Sequence, residues 1–467
     1  VDAIARELQS LNLKIESPGD YSAQDIIHQL FTRVAFYKHN IAEQQIGYSH
    51  IAFYQMETGF KFIRQMTSEL RTELSLNGLI SIPSTIHKNG YYIIGYGTKN
   101  QNINTGYIYP MAGAMNNLYA NEENEGQSVY NPGICVAKLY KFNSDKLLNS
   151  IYDNANWVTF INPEVDINFF YKQKDLYVVH YTDQYTINAK YDSITVTKHV
   201  DQYDNMLRKS YEHYGLSEER FQHFNETMMR YFNCLNGSWM LDIVNKTEYQ
   251  IREKMSIVAA CIVMLKFMKR VANVIWIPLS LEEIFRVTGN IGLPRDYIFT
   301  KKALGAKGAM SDDLLMMGLD LSDPANIRLY FYPVEVKDSK NSSMSDKGVR
   351  QVCQTYEQFR KQLFGEPNFV KNIYRSFFAT QFLTNAEKLN ANSLLSDEKF
   401  AEIEKYRFDL LNLNYIIEDK LPIKEMGDAA VVSFYSQASH SMKTSIIDNI
   451  PVCEIHFAER ECVQFVA

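Results

Sequence analysis

The strongest constraint on the fold is a pair of apolar runs around a turn. Ser311-Asp312-Asp313-Leu314-Leu315-Met316-Met317-Gly318-Leu319-Asp320 leads into Ser322-Asp323-Pro324-Ala325-Asn326, and Ile327-Arg328-Leu329-Tyr330-Phe331-Tyr332-Pro333-Val334-Glu335-Val336-Lys337 follows. Two apolar stretches flanking an Asp/Pro/Asn cluster predict a β-hairpin. Side chains alternate along a strand, so Glu335 and Lys337 share one face. A turn centred near Pro324 sets Asp313 opposite Glu335. An acidic pair and a lysine then meet at one end of a hairpin whose other positions are mostly apolar. Clustered carboxylates repel, and leaving them uncompensated is costly. A divalent cation neutralises them, and Mg²⁺ takes a few carboxylate oxygens together with water and phosphate oxygens.

This arrangement resembles the PD-(D/E)XK, or restriction-endonuclease-like, nuclease family, which places an Asp at the start of one strand and a Glu-x-Lys on the next. The resemblance implies Asp313 and Glu335 as ligands of Mg²⁺, for which Mn²⁺ substitutes. It implies Lys337 as the group that positions or activates the attacking water and stabilises phosphoryl charge. Ser311-Asp312 stands where the family has a Pro before its Asp, so Asp312 is the alternative ligand to Asp313. The implied fold is α/β (α+β): a restriction-endonuclease-like mixed sheet flanked by helices, preceded by a separate α/β N-terminal region.

Ahead of the hairpin, the apolar segment 253–272 reads as a buried helix and Val274–Ile277 as a strand. Ser280 stands three residues before Glu283, a capping-box spacing. A helix with a Glu ahead of the hairpin is also what the nuclease family presents, so Glu282 or Glu283 is a candidate third carboxylate on the metal, against the plain reading of a helix cap. Lys301, Lys302 and Lys307 form a basic stretch before Asp312 that suits a DNA backbone. After the hairpin, 346–364 reads as a helix. Gln351, Gln354 and Gln358 lie on one face, and Val352, Tyr356, Phe359 and Leu363 on the other. The amide stripe resembles the Gln-bearing helix of the RecB-like branch of these nucleases. That assigns Arg350 and Gln351 to contacting phosphate or holding Lys337. Glu418-Asp419-Lys420 repeats the tripeptide without a well-placed Asp.

Across the rest of the chain, residues 1–75 read as helical, with one amphipathic segment at 23–37 and a second from Ser49 to Leu74. Phe53, Tyr54 and Phe60 of the second segment are taken as core rather than as a stacking platform. Residues 78–141 turn to short strands and loops. Asn156–Ile161, Asp175–Tyr181 and Ser193–Val200 read as strands of one sheet. Residues 202–250 are helical, with His213, His223 and Phe224 on partly exposed faces. Ala429–Phe434 and Ile450–His456 look like strands. The expected organisation is an N-terminal α/β region at 1–250 of unassigned role (helices 1–75, strand-rich 78–200, helices 202–250). A nuclease core follows at 251–370, then a helical and strand-rich extension at 371–467.

Composition sets outer limits. The chain has 467 residues, 46% hydrophobic and 22% charged, enough for two or three domains with sizeable cores. The net charge of −6 supplies no global basic field, which argues against a purely electrostatic DNA binder but leaves room for a local basic groove. Six scattered cysteines and no secretory leader suggest a reducing cytoplasm. Cys453, His456 and Cys462 lack a second ligand pair of zinc spacing and are set aside. The longest apolar run, Met255–Met268, is broken by Lys266 and too short to span a bilayer, so no membrane partner is expected. No nucleotide-binding Gly-x4-Gly-Lys-Ser/Thr loop is present.

A more diffuse resemblance covers more of the chain. It rests on Asn156–Asp166, His180–Tyr185 and Tyr191–Thr197, together with Leu279-Ser280-Leu281-Glu282-Glu283 and Val334-Glu335-Val336-Lys337. These stretches look like the DptH family of phosphorothioation-dependent DNA restriction, which joins nuclease and FtsK/HerA-type ATPase parts. The resemblance implies bacterial antiviral defence, DNA as substrate, and an ATPase/helicase part or partner subunits outside this chain. The expectation is therefore a metal-dependent DNA nuclease module, a Mg²⁺-dependent endodeoxyribonuclease. Its rival is a non-catalytic scaffold or DNA-binding subunit of a defence complex. Substituting Asp313, Glu335 or Lys337 by Ala is expected to abolish cleavage and leave the fold intact.

Overall fold

A computed structural model describes most of residues 47–54, 63–97, 134–284 and 314–466. Residues 1–46, 55–62, 98–133 and 285–313 lie outside that description, as do shorter stretches such as 181–193, 213–216, 243–247 and 340–342. The chain divides after Tyr48, and the architecture below belongs to the unit 49–467. It is mixed α+β, with mixed sheets flanked by helices.

The segment from Ser49 is not helical. Ser49–Tyr54 is a strand, β1, followed by β2 (Ile63–Met66) and β3 (Glu73–Leu74). Parallel pairing with β8 (Ala155–Phe160) overrides the helical periodicity read from the sequence. Phe53 is 71% exposed, so it is not core, and Tyr54 packs edge-on to Phe160. After β4 (Ser81–Ile82), the strands β5 (Ser84–Lys88), β6 (Tyr91–Gly97) and β7 (Ile134–Lys141) form a sheet with β2. Helix α1 (Lys146–Asn154) leads into β8, then β9 (Tyr177–His180) and β10 (Ile194–Thr197). The three strands expected between 156 and 200 do share one sheet, in the order β1-β8-β10-β9.

Four helices follow: α2 (Asp201–Glu212), α3 (Glu218–Leu235), α4 (Gly237–Asp242) and α5 (Glu248–Met268). Phe224 is fully buried against Tyr211 and Phe221, because the apolar side of α3 closes over α2. His223 is exposed, and His213 lies outside the described residues.

The largest sheet has seven strands. β11 (Val274–Ser280), β12 (Leu314–Asp320) and β13 (Arg328–Ser339) form an antiparallel meander. Helices α6 (Ser343–Leu363), α7 (Phe369–Ala391), α8 (Asp397–Lys405) and α9 (Arg407–Leu411) follow. The chain then returns as β14 (Ile416–Glu418), β15 (Ala429–Tyr435), β16 (Ser441–Ile447) and β17 (Ile450–Ala458), and ends in α10 (Glu461–Val466). The order is β11-β12-β13-β15-β17-β16, with β14 also beside β13. β15 runs parallel to both β13 and β17.

The hairpin register is the one a turn centred on Pro324 sets: Leu314 lies opposite Val334 and Asp320 opposite Arg328. Asp323 makes that turn. Its carboxylate accepts from the Ala325 amide at 3.1 Å and from the Asn326 side chain at 2.8 Å, and its carbonyl accepts from the Asn326 amide at 3.0 Å. The two prolines in the meander occupy positions where a missing N–H costs little. Pro278 is on the edge strand β11. Pro333 sits where the neighbour of β13 changes from β14, which pairs with 328–330, to β15, which pairs from Val334 onward.

Both faces of this sheet are covered, so β12 is buried at every position. Even-numbered residues of β12 and β13 (Leu314, Met316, Tyr330, Tyr332) join the core with α3, α5 and α10. Odd-numbered ones (Leu315, Met317, Leu319, Leu329, Phe331) join the core with α6 and α7. Glu335 and Lys337 have the parity of the α6 face. The expected helix at 346–364 is α6, and its Val352, Tyr356, Phe359 and Leu363 are buried in that core.

Candidate active site

The apolar face under α6 turns polar at one end of the sheet. Glu335 is fully buried and Lys337 nearly so, and the Lys337 ammonium donates to Glu335 Oε1 within the strand. An ion pair taken out of water survives only when its partners are close and fixed. Here α6 supplies the confinement. Gly348 lies so near the strand that a Cβ on it would stand 3.0 Å from Val431 Cγ1, 3.3 Å from Lys337 Cγ and 3.4 Å from Glu335 Cγ. A side chain here would crowd Val431 and the stems of Lys337 and Glu335, which would have to give by a few tenths of an ångström.

Cross-strand register extends the site. Glu335, Val431 and Glu454 lie in one row, and Lys337, Ser433 and His456 in the next. All six are buried on the α6 face. Glu454 is tied down: Ser445 Oγ donates to it at 2.9 Å, Lys443 Nζ stands 3.3 Å away, and Ser345 Oγ of α6 is at 3.5 Å. His456 Nε2 is 4.0 Å from Glu454 Oε2. Burial pushes the His456 pKa below its ordinary value, against the pull of Glu454, so the ring is neutral at pH 7. Ser433 Oγ, His456 Nδ1 and Gln351 Oε1 are enclosed and have no hydrogen-bond partner among the described residues. Buried polar atoms are normally satisfied, so the two on the neighbouring Ser433 and His456 and the third on the covering helix call for an explanation.

The residues singled out from the sequence are distributed as follows. Glu335, Lys337 and Gln351 are together beneath and on α6, Gln351 one helical turn beyond Gly348. Arg350 is exposed on the same helix, and its Nε donates to the Asp346 carbonyl at 3.4 Å. Glu283 is buried at the end of the sheet where β11 finishes, and its amide donates to Ser280 Oγ at 3.4 Å, as the capping spacing implies. Glu282 is engaged elsewhere. It accepts from Trp239 Nε1 at 2.8 Å and from the buried Lys254 at 3.0 Å, so it braces α4 and α5 rather than facing Glu335. Asp312, Asp313, Lys301, Lys302 and Lys307 lie outside the described residues. The ladder is described as far as Leu314, the residue that follows Asp313 in sequence.

The expectation that Glu335 and Lys337 can be replaced without consequence for the fold is corrected by this geometry. They are a buried pair, and removing one member strands the other charge. Cys453 and His456 point to opposite faces of β17, Cys453 into the α5-side core, so they cannot share an ion. Burial pushes the Cys453 thiol up to about 11 and the Cys462 thiol well above its usual range, as expected of inert core cysteines.

Among the described residues no group of three His, Cys, Asp or Glu side chains is assembled for a metal ion. The donor that the described residues supply at this site, the Glu335 carboxylate, is the hard oxygen type that Mg²⁺ and Mn²⁺ take. Ser433 and Glu454 were not identified from the sequence, and His456 was weighed only as a zinc ligand, although Glu454-Ile455-His456 places a charged and a titratable residue two apart in an apolar strand, as Glu335-Val336-Lys337 does.

No family model, no curated protein and no solved structure matches this chain. Among the described residues no helix is long and apolar enough to cross a membrane.

Proposed function

We propose that the chain is a divalent-metal-dependent DNA nuclease module with a restriction-endonuclease-like core. The observation that carries this reading is the buried Glu335–Lys337 pair on an inner strand of a mixed sheet, in a hairpin whose register follows the Pro324 turn. A buried acid and base two residues apart on one face have no packing rationale on a strand face that is otherwise apolar at Leu329 and Phe331. The helix α6 that covers them presents an enclosed amide oxygen at Gln351.

In this reading Glu335 holds Mg²⁺ or Mn²⁺ together with Asp313, or Asp312 in its place, and with Glu283 as a further carboxylate. The bound ion would polarise a scissile phosphate oxygen and acidify a coordinated water. Lys337, in a site screened from solvent by α6, stabilises charge that develops on the phosphate. Gln351 orients Lys337 or the water. Arg350, with Lys301, Lys302 and Lys307, holds the DNA backbone, which fits a chain with no overall positive charge. The setting we propose is a cytoplasmic bacterial restriction or antiviral defence complex in which an ATPase/helicase part or partner subunits deliver the DNA.

The test is nicking of supercoiled plasmid in Mg²⁺ or Mn²⁺ by wild type, Glu335→Gln and Lys337→Met, each first shown to be folded by circular dichroism. Metal-dependent nicking confined to the wild type is the expected result. Nicking retained by Glu335→Gln would overturn the assignment. Metal-independent DNA binding without nicking would instead favour a scaffold role for the same core.

A further inference from the structure

The enclosed oxygens of Ser433 and Gln351 have a use once Glu335 is asked to bind a cation. Lys337 draws its charge compensation from Glu335. A carboxylate that turns its oxygens toward a divalent ion no longer serves the lysine, and a buried ammonium without a partner is strongly disfavoured. Two acceptors lie on the elements that flank the lysine. Ser433 is the direct cross-strand neighbour of Lys337 on the same face, one strand spacing away, and its Oγ has no partner among the described residues. Gln351 lies one turn along α6 from Gly348, which touches both Lys337 and Glu335, and its Oε1 likewise has no partner among the described residues. In the adjoining row Glu454 is held by Ser345, Ser445 and Lys443, while Ser433 itself stands between Lys337 and His456.

We infer that Ser433 and Gln351 are positioning residues that form a second seat for the Lys337 ammonium: it sits on Glu335 in the metal-free protein and moves to Ser433 Oγ and Gln351 Oε1 when Glu335 takes the ion. This rests on the nuclease reading above, and it adds that metal binding and lysine placement are one coupled event. Ser433 and Gln351 therefore set metal affinity without touching the metal. Lys337 competes with the ion for Glu335 when the second seat is absent.

The experiment is direct titration of the full chain with Mn²⁺, free ion being read by electron paramagnetic resonance, in the absence of DNA. Wild type is compared with Ser433→Ala, Gln351→Met, Lys337→Met and the double variant Ser433→Ala/Lys337→Met. Ser433→Ala is expected to weaken Mn²⁺ binding roughly tenfold or more, the weight of a hydrogen bond to a charged group. Gln351→Met should weaken it in the same direction. In the Lys337→Met background the Ser433→Ala effect should vanish, because no ammonium is left to reseat. A Ser433→Ala affinity equal to wild type, or an effect that persists without Lys337, overturns this inference and leaves the nuclease reading standing. Absence of Mn²⁺ binding by wild type overturns both. Gln351→Met changes a half-buried helix residue outside the sheet, so it keeps the test open if Ser433→Ala disturbs the sheet.

Discussion

Replacing Lys337 by Met tests the central pair most directly. Met keeps the unbranched stem that lies against Gly348 and removes only the charge. Glu335 is then a carboxylate with 0% exposure whose strand-mate cation is gone. Breaking a buried ion pair by removing one partner costs about 3–5 kcal/mol. Coulomb's law gives a consistent figure, about 4 kcal/mol for charges ~4 Å apart at an effective dielectric near 20. With a urea slope of about 3 kcal/mol/M, the midpoint should fall by roughly 1–2 M. The double variant Glu335→Gln/Lys337→Met removes both charges, and a buried pair replaced by neutral groups of similar shape is often neutral or stabilising. It should therefore unfold within about 1 kcal/mol of wild type or later. Mg²⁺ should shift the Lys337→Met midpoint upward more than that of wild type, because a ligand that binds only the folded state stabilises by mass action and the ion supplies the missing positive charge. An unchanged Lys337→Met midpoint, or a double variant less stable than Lys337→Met alone, would refute the claim that the two charges hold each other in the core.

Two further outcomes follow from the same region. Burial, helped by Glu459 and opposed by Arg252, pushes the Asp338 pKa up to about 6. An acid whose folded pKa is raised costs stability when ionised, so its penalty is absent below about pH 4, grows between pH 4 and 6, and is complete above that. Asp338→Asn should thus stabilise the chain by about 1–3 kcal/mol at pH 7.5 and flatten the urea midpoint between pH 4 and 6, and a variant with the wild-type pH slope would disprove it. Gly348→Val should destabilise by about 1–3 kcal/mol through overpacking against Val431 and should also weaken Mn²⁺ binding, because the displaced atoms are those of Glu335 and Lys337. A destabilised Gly348→Val with unchanged Mn²⁺ affinity would separate the helix contact from the site.

How much of this was legible in the sequence depends on the range over which each feature is decided. The hairpin register was legible because Asp323, Pro324 and Asn326 fix it locally, and that register carries Glu335 and Lys337 to one face. The helix α6 and strands β15 and β17 were legible from their periods. The strand β1 was misread, since its alternation is short and its partner β8 lies about a hundred residues on. The buried row was missed for the same reason. Glu454 and His456 come beside Glu335 and Lys337 only through parallel pairing across β15, which no local pattern encodes. Pairing at long separation is set by the whole core, and a reading by periodicity sees one strand at a time.

That row offers a final argument about which acid does chemistry. Glu335 and Glu454 occupy equivalent positions on either side of Val431, followed two residues later by Lys337 and by the imidazole of His456. Their surroundings differ. Glu454 is compensated from the edge, by Lys443 on the outermost strand with its side chain 64% exposed, and by the hydroxyls of Ser345 and Ser445. Those partners occupy both of its oxygens, which makes it a wall rather than a ligand. Glu335 is compensated by a lysine on its own strand whose cross-strand neighbour, Ser433, carries an unpartnered hydroxyl oxygen among the described residues. A carboxylate whose counter-charge can be handed to a neighbour is the one that can accept a cation without stranding a charge in the core. If that is right, Glu335→Gln abolishes Mn²⁺ binding, whereas Glu454→Gln lowers the urea midpoint and leaves the Mn²⁺ stoichiometry unchanged.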